Sequence, residues 1–221
     1  MYRSRIGLIV ATFLVTGVVV HASTSAEDLP EHTILRAAGP ITIDGRISEP
    51  SWAAAATVGD FQFPWWKAGE KEQTAARLLW DDEFLYAAVE LEEPHLVAHV
   101  VDKDEEIYDD NDIEMFIDVD GDSQDYIELE FNALGTVWDM LLPKEYNRGG
   151  LPFSHPRIAA SQPWSLAGMR AAVRVDGSIN YPYDVDSGWL IELSIPWTSL
   201  APTDRSGVPL NRGGRTLRVN F

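Results

Sequence analysis

Between Glu105 and Phe131 the chain places twelve carboxylates in 27 residues and no Lys or Arg (EEIYDDNDIEMFIDVDGDSQDYIELEF). Side chains of this one kind support three different chemistries. Two carboxyl groups, one protonated and one ionised, can cleave a glycosidic bond when their separation is right. Several hard oxygens wrapped around one point hold Ca²⁺. Carboxylates beside aromatic rings suit a polyhydroxylated ligand, whose hydroxyls donate to the acids while its CH groups stack. A solvated acidic surface is the fourth reading, and the elements that carry the acids decide among them.

Alternation sorts the acids into two groups. Ile113, Met115, Ile117 and Val119 alternate with Asp112, Glu114, Phe116 and Asp118. Ile127, Leu129 and Phe131 alternate with Tyr126, Glu128, Glu130 and Asn132. That is the period of strands with one apolar face, and it puts Glu114, Glu128 and Glu130 on polar faces. Asp118, Asp120, Asp122 and Asp125 fall instead in the connection DVDGDSQD. Carboxylates at every second residue around Gly121 predict a Ca²⁺ loop, although the closing Glu and flanking helices of an EF-hand are absent. An acidic hairpin turn without an ion fits the same residues.

The aromatic residues divide in the same way. Tyr108 stands among polar neighbours just before the acidic strand, and Trp138 follows Asn132 by six residues. Trp52, Trp80, Trp189 and Trp197 alternate with apolar positions and read as core. Trp65 and Trp66, in FPWWKAG, read as a second, loop-borne aromatic surface. The histidines are His21, His32, His95, His99 and His155; Pro94 and the strand-like context argue against a zinc site at His95 and His99. There is no G-x-S-x-G elbow and no glycine-rich phosphate cradle.

The positioning elements are short strands. Residues 77–80 and 84–92 form a hairpin around Asp81-Asp82-Glu83, and further strands are predicted at 170–175, 189–195 and 217–221. One helical turn is predicted over 49–56, where Pro50 suits a first turn. Strands with one wet face at this spacing predict an all-β antiparallel sandwich of jelly-roll type. Residues 143–169 are rich in turn formers and read as a long loop of the kind that often carries function.

The N-terminus reads as an export signal. Met1–Arg5 carries two arginines, Ile6–Val20 is uncharged, and HASTSA at 21–26 offers small residues for cleavage. The apolar run is shorter than the ~20 residues a bilayer span requires. The predicted map is a signal peptide at 1–26, a linker at 27–39 and a sandwich at 40–221, exported to a bacterial periplasm or medium. Cysteine is absent, which excludes disulfides, thiolate metal sites and a Cys-anchored lipoprotein. A formal charge of −18 argues against nucleic acid and anionic lipid as partners. The sequence stops at LRVNF, inside what reads as a core strand, which predicts a piece of a longer chain.

Six segments carry a resemblance: ITIDGRISEPSW, RLLWDDEFLYAAVEL, DNDIEMFID, YIELEFNALGTVWD, GWLIELSIPWTSL and LRVNF. In that order they resemble the carbohydrate-binding modules of family 9 and their close relatives over about residues 40–221. The resemblance implies a β-sandwich, non-catalytic binding of a poly- or oligosaccharide, bound structural calcium, and attachment to secreted glycoside hydrolases. It also implies a sugar end held between two aromatic side chains. By motif position the first falls on Tyr108, the acidic binding residue on Glu114 and the amide on Asn132. Glu130 stands where the family has a basic residue, and the second aromatic falls beyond residue 221. The expected site is therefore Tyr108, Glu114, Glu130 and Asn132, with Trp138 as a further platform.

Two other classes stay open at this point. One is an appended domain or part of a secreted glycoside hydrolase, acting through its acids. The other is a haem-binding or ligand-less relative of the DOMON type. Haem needs an axial Met or His, whereas Met115 alternates inward and Met140 and Met169 have no supporting context.

Overall fold

The computed structural model describes residues 30–58, 61, 67–69, 71–145, 152–155 and 163–221. The predicted signal peptide, Trp65 and Trp66, and parts of the 143–169 loop lie outside the described residues. The chain divides after Glu31 into two units; of the first, only Pro30 and Glu31 are described, and both are exposed. Among the described residues no helix is long and apolar enough to cross a membrane.

The second unit is built on two sheets. Strand β1 (Leu35–Arg36) runs parallel to β2 (Thr74–Trp80), which forms a hairpin with β3 (Phe84–Leu91). Strand β8 (Gly188–Pro196) lies antiparallel to β3, and β7 (Arg170–Asp176) antiparallel to β8, giving the order β1-β2-β3-β8-β7. The second sheet has the order β6-β5-β4-β9, from Val137–Leu142, Tyr126–Asn132, Asp112–Asp118 and Arg218–Asn220. All its pairings are antiparallel. Helices are confined to α1 (Pro50–Ala54), α2 (Trp197–Leu200) and a 3-10 turn at Ala201–Thr203. This is the all-β sandwich that the alternation predicts.

Both sheets feed one core. Leu85, Ala87 and Val89 from β3 and Ile191, Leu193 and Ile195 from β8 join Met115 and Ile117 from β4 and Ile127, Leu129 and Phe131 from β5. Burying each such large side chain contributes roughly 1.5–3 kcal/mol. The β2–β3 turn closes because Asp81 Oδ1 accepts from the backbone N–H of Glu83 and Phe84, each at 2.8 Å, which turns the chain locally.

The outer faces are not wet, contrary to the simple alternation. On the first sheet, α1 and the segment before it cover β3 and β8: Trp52 packs with Leu79, Tyr86 and Ala88, and β8 is buried at eight of its nine positions. Fully buried Glu192 sits beneath this cover. It accepts from Asp44 N (3.0 Å), Gly45 N (3.2 Å) and Trp52 Nε1 (3.1 Å). Burial raises its pKa, and those three donors oppose the rise. Gly45 has φ +76°, and a Cβ there would stand 3.1 Å from the Val173 carbonyl carbon, so glycine is what lets this segment lie so close. The second sheet is covered too, and that cover builds the candidate site.

Candidate functional site

The connection from β3 to β4 packs over the outer face of the second sheet. Ile107 and Val100 from the connection meet Trp138, Met140 and Leu142 of β6 and Tyr126 of β5 in a separate apolar cluster. The connection bonds to other backbone at a few points, among them Asp104 N to Val137 O (3.1 Å) and Asn111 N to Val97 O (2.8 Å), and side chains satisfy much of the rest. Asp186 accepts from Leu96 N (2.8 Å) and Asn111 from Val97 N (2.5 Å). Asn180 both accepts from Ala98 N (3.0 Å) and donates to Ala98 O (2.6 Å). Asp110 accepts from His99 N (2.9 Å) and Val100 N (3.1 Å).

Asn132 completes this clamp. It is fully buried, and its Nδ2 donates to Val100 O (2.9 Å) and Asp110 Oδ2 (2.8 Å). Its Oδ1 accepts from Leu134 N (3.1 Å) and Thr136 N (2.9 Å). With every hydrogen-bonding position of the amide in use, Asn132 holds the connection in place and does not face the groove.

The clamped connection delivers Tyr108 to the mouth of a groove of about 420 Å³. Its carboxylate lining is Glu106, Glu114, Glu128 and Glu130, and its ring lining is Tyr108, Phe116, Trp138 and His155. Register explains the assembly: Glu114 pairs with Glu130 and Phe116 with Glu128, while Glu130 pairs in turn with Trp138. Even-numbered residues of β4, β5 and β6 therefore share this face. Tyr108 is 52% exposed and its hydroxyl donates to Glu106 at 2.7 Å. Trp138 is buried: its ring centroid lies 6.4 Å from that of Tyr108 and 5.9 Å from that of His155, and its Nε1 donates to Ser154 O (3.2 Å). Tyr108 is thus the accessible ring, and Trp138 the base on which it rests.

Of the five residues expected to bind sugar, Tyr108, Glu114, Glu130 and Trp138 line this one groove, and Asn132 lies outside it. Glu106, Phe116, Glu128 and His155 complete the lining. Strand register would have found Phe116 and Glu128; nothing local in the sequence points to His155.

Two of the four lining acids, Glu128 and Glu130, are buried, and Glu106 and Glu114 are half-buried. Glu130 is only 3% exposed, and its Oε2 is buried without a hydrogen-bond partner. Burial, together with Glu128, Glu114, Asp112 and Glu106, pushes its pKa up to about 9. Burial and the neighbouring Glu114 push Asp112 to about 7, and burial alone raises Glu114. Asp112, Glu114 and Glu130 each bring a carboxylate oxygen within 4.8 Å of the other two.

The aspartate loop forms a second cluster. Asp118, Asp120 and Asp122 also bring carboxylate oxygens within 4.8 Å of one another. Asp118 is partly spent on the loop itself, accepting from Gly121 N (2.8 Å) and Ser123 N (3.0 Å). Asp120 Oδ2 accepts from Arg205 N (2.7 Å), whereas its Oδ1 is buried without a partner. Asp125, also expected as a ligand, forms an ion pair with Arg205. The oxygen donor set and the orphaned Asp120 oxygen fit a hard cation; Arg205 pairs with both Asp125 and one oxygen of Asp122 (3.3 Å), and Asp125 lies outside the converging set.

The methionines are packed in apolar surroundings. Met115 lies in the main core, Met140 in the cluster under Ile107, and Met169 against the core edge. None of the three lines the groove.

The fold is a β-sandwich with an aromatic and carboxylate groove on one sheet. Residues 43–141 match the family model of the carbohydrate family 9 binding domain-like proteins. The chain is 24% identical over 156 residues to endo-1,4-beta-xylanase A of Thermoanaerobacterium saccharolyticum. That match spans 70% of the chain but only 10% of the xylanase. Among solved structures, it is similar to a family 9 carbohydrate-binding module from Caldicellulosiruptor kristjanssonii in complex with cellotriose, at 16% identity and a TM-score of 0.45. That likeness covers 74% of this chain and 66% of the module. The same organism's module in complex with glucose gives 16% identity and a TM-score of 0.47, covering 74% and 68%.

Proposed function

We propose that the chain is a non-catalytic carbohydrate-binding domain that holds a saccharide in the groove beneath Tyr108. The observation that carries this reading is the pairing of an accessible ring with convergent carboxylates in a concave site, on a chain with a family 9 binding domain-like segment. The Tyr108 ring stacks on sugar CH groups, Trp138 supports it from below, and Glu114 and Glu130 bond the polar substituents. Isothermal titration with mono- and oligosaccharides tests it. Heat of binding with a saccharide is the expected result; no heat with any glucan, xylan or amino-substituted glycan would sink the assignment.

The finer parts of the reading concern setting and metal. We infer export through the predicted signal at 1–26 and work beside a glycoside hydrolase, fused or separate, in polysaccharide degradation or uptake; the xylanase relative supports that association. Mass spectrometry of the N-terminus of exported protein tests the first point. Structural Ca²⁺ is assigned to Asp118, Asp120 and Asp122, with the orphaned Asp120 oxygen as its support. A catalytic pair is the competing use of the acids. A Glu114→Gln protein tests it, because a reducing-end release that depends on Glu114 would show cleavage by this domain.

A further inference from the structure

The turn from β7 to β8, residues 177–187, is anchored from within and exposed without. Buried Asp186 accepts from Ser178 N (2.6 Å) and Leu96 N (2.8 Å), and its own N–H donates to Pro94 O (3.0 Å). Asn180 N donates to Leu96 O (2.8 Å), and the Asn180 amide takes both backbone groups of Ala98. Ile179 packs against the main core. A Cβ at Gly177 would stand 2.1 Å from Asp186 Oδ1, so only glycine lets the turn close this tightly. Between the anchors stand Tyr181, 55% exposed, and Tyr183, 85% exposed. Pro182 separates them and fixes a backbone angle of its own. Two large rings on an anchored segment can meet a ligand at little cost in chain order.

Ring geometry selects the kind of ligand. The Tyr181 and Tyr183 centroids lie 5.5 Å apart with the rings at 71°, so the pair forms a corner. A flat polymer surface needs coplanar rings. A corner takes one sugar ring, whose CH face stacks on one tyrosine while its edge meets the other. The turn holds Asp184 and Asp186 and no Lys, Arg or His, which disfavours an anionic partner. Position points the same way. Asn180 is anchored on Ala98, and Asp110, two residues after Tyr108, is anchored on His99 and Val100. The two tyrosine-bearing segments are thus fastened to neighbouring residues of one connection.

Resting on the saccharide reading above, we propose that Tyr181 and Tyr183 form a second saccharide contact. It takes up sugar units of a single chain whose end lies in the Tyr108 groove. The domain then distinguishes ligands by length: short ones meet Tyr108 alone, and longer ones meet both surfaces.

Calorimetry on the whole chain with di-, tetra- and hexasaccharides of the cello and xylo series tests the proposal. In the series that binds, wild-type affinity should rise at least about fivefold from disaccharide to hexasaccharide. The double variant Tyr181→Ala, Tyr183→Ala should bind the disaccharide as wild-type does and the hexasaccharide no tighter than the disaccharide. Its melting temperature should hold, since both rings are exposed; Tyr183→Ala alone serves should the double variant fail to fold. A variant that binds the hexasaccharide as tightly as wild-type would overturn the second contact and leave the saccharide reading standing. A wild-type affinity independent of length would do the same. Loss of disaccharide binding in the folded double variant would overturn the two-surface arrangement, because both contacts would then belong to one site. No heat from any of these saccharides with wild-type protein would overturn this inference and the saccharide reading together.

Discussion

Glu114 lies directly opposite Glu130 in the β4–β5 ladder, and the only neighbour across from Glu130 on its other side is Trp138. Like charges at this cross-strand spacing destabilise a sheet, and burial adds to the penalty. Both effects favour the protonated acid in the folded protein. Since the folded pKa of Glu130 is about 9 and that of Asp112 about 7, the fold keeps protons that the unfolded chain releases. Stability from these groups is therefore full below the ordinary carboxylate range and lost as pH rises through 7 and on to 9. Thermal melts from pH 5 to 9 should show a falling melting temperature, and Glu130→Gln should flatten the upper part of that fall. An unchanged slope in the variant would remove Glu130 as its source.

Tyr108→Ala should cut saccharide affinity by about tenfold or more, because a rigid, accessible ring is the kind of residue that dominates a small binding site. Its ring is half exposed, so the melting temperature should change little. Calorimetry and a melt on the same sample separate the two effects. A large drop in stability would make Tyr108 a packing residue instead.

Asn132→Ala should cost on the order of 2–4 kcal/mol in urea unfolding, since it leaves the buried Thr136 N–H without its acceptor, removes the part-buried bonds to Val100 O and Leu134 N, and empties a fully buried site. Affinity should fall with it, because the released segment carries Tyr108. Asn132→Asp should be no milder, as its charge would meet Asp110 where the amide now donates at 2.8 Å. A mild loss of stability combined with a large loss of affinity would instead put Asn132 in contact with the ligand.

Chelation should lower the melting temperature of the native chain by several degrees, and Asp120→Asn should abolish that response. The orphaned Asp120 oxygen is the atom such a cation would satisfy. A melt indifferent to chelator would leave the loop stabilised by Arg205 and Arg218 alone.

Much of the architecture was legible because side-chain period is local. The faces of β4 and β5 could be assigned from Ile113 to Phe131, and the β2–β3 hairpin from its Asp-Asp-Glu turn. Strand β6 was harder: Trp138, Met140 and Leu142 point to one cluster while buried Asp139 faces the other way. Local period also misjudged the outer faces as wet, because what covers them comes from distant segments without periodicity. Glu128 and Glu130 are buried, and they share their groove with Glu106 and Tyr108 of the connection and with His155. The same limit applies to Asn132 and Asp125. Their partners, Val100 and Arg205, lie 32 and 80 residues away, so a clamp and an ion pair both read as candidate ligand contacts.

The clamp on the β3–β4 connection also bears on how this surface could diversify. Its anchors sit at Leu96–Val100 on one side and at Asp110–Asn111 on the other, and they act on backbone atoms. The span between them, which holds Glu106 and Tyr108, is an exchangeable cassette mounted on a fixed frame. Grafting a different sequence between Val100 and Asp110 that keeps Lys103 on Asp139 and Ile107 in the β6 cluster would change what the surface recognises without rewriting either sheet.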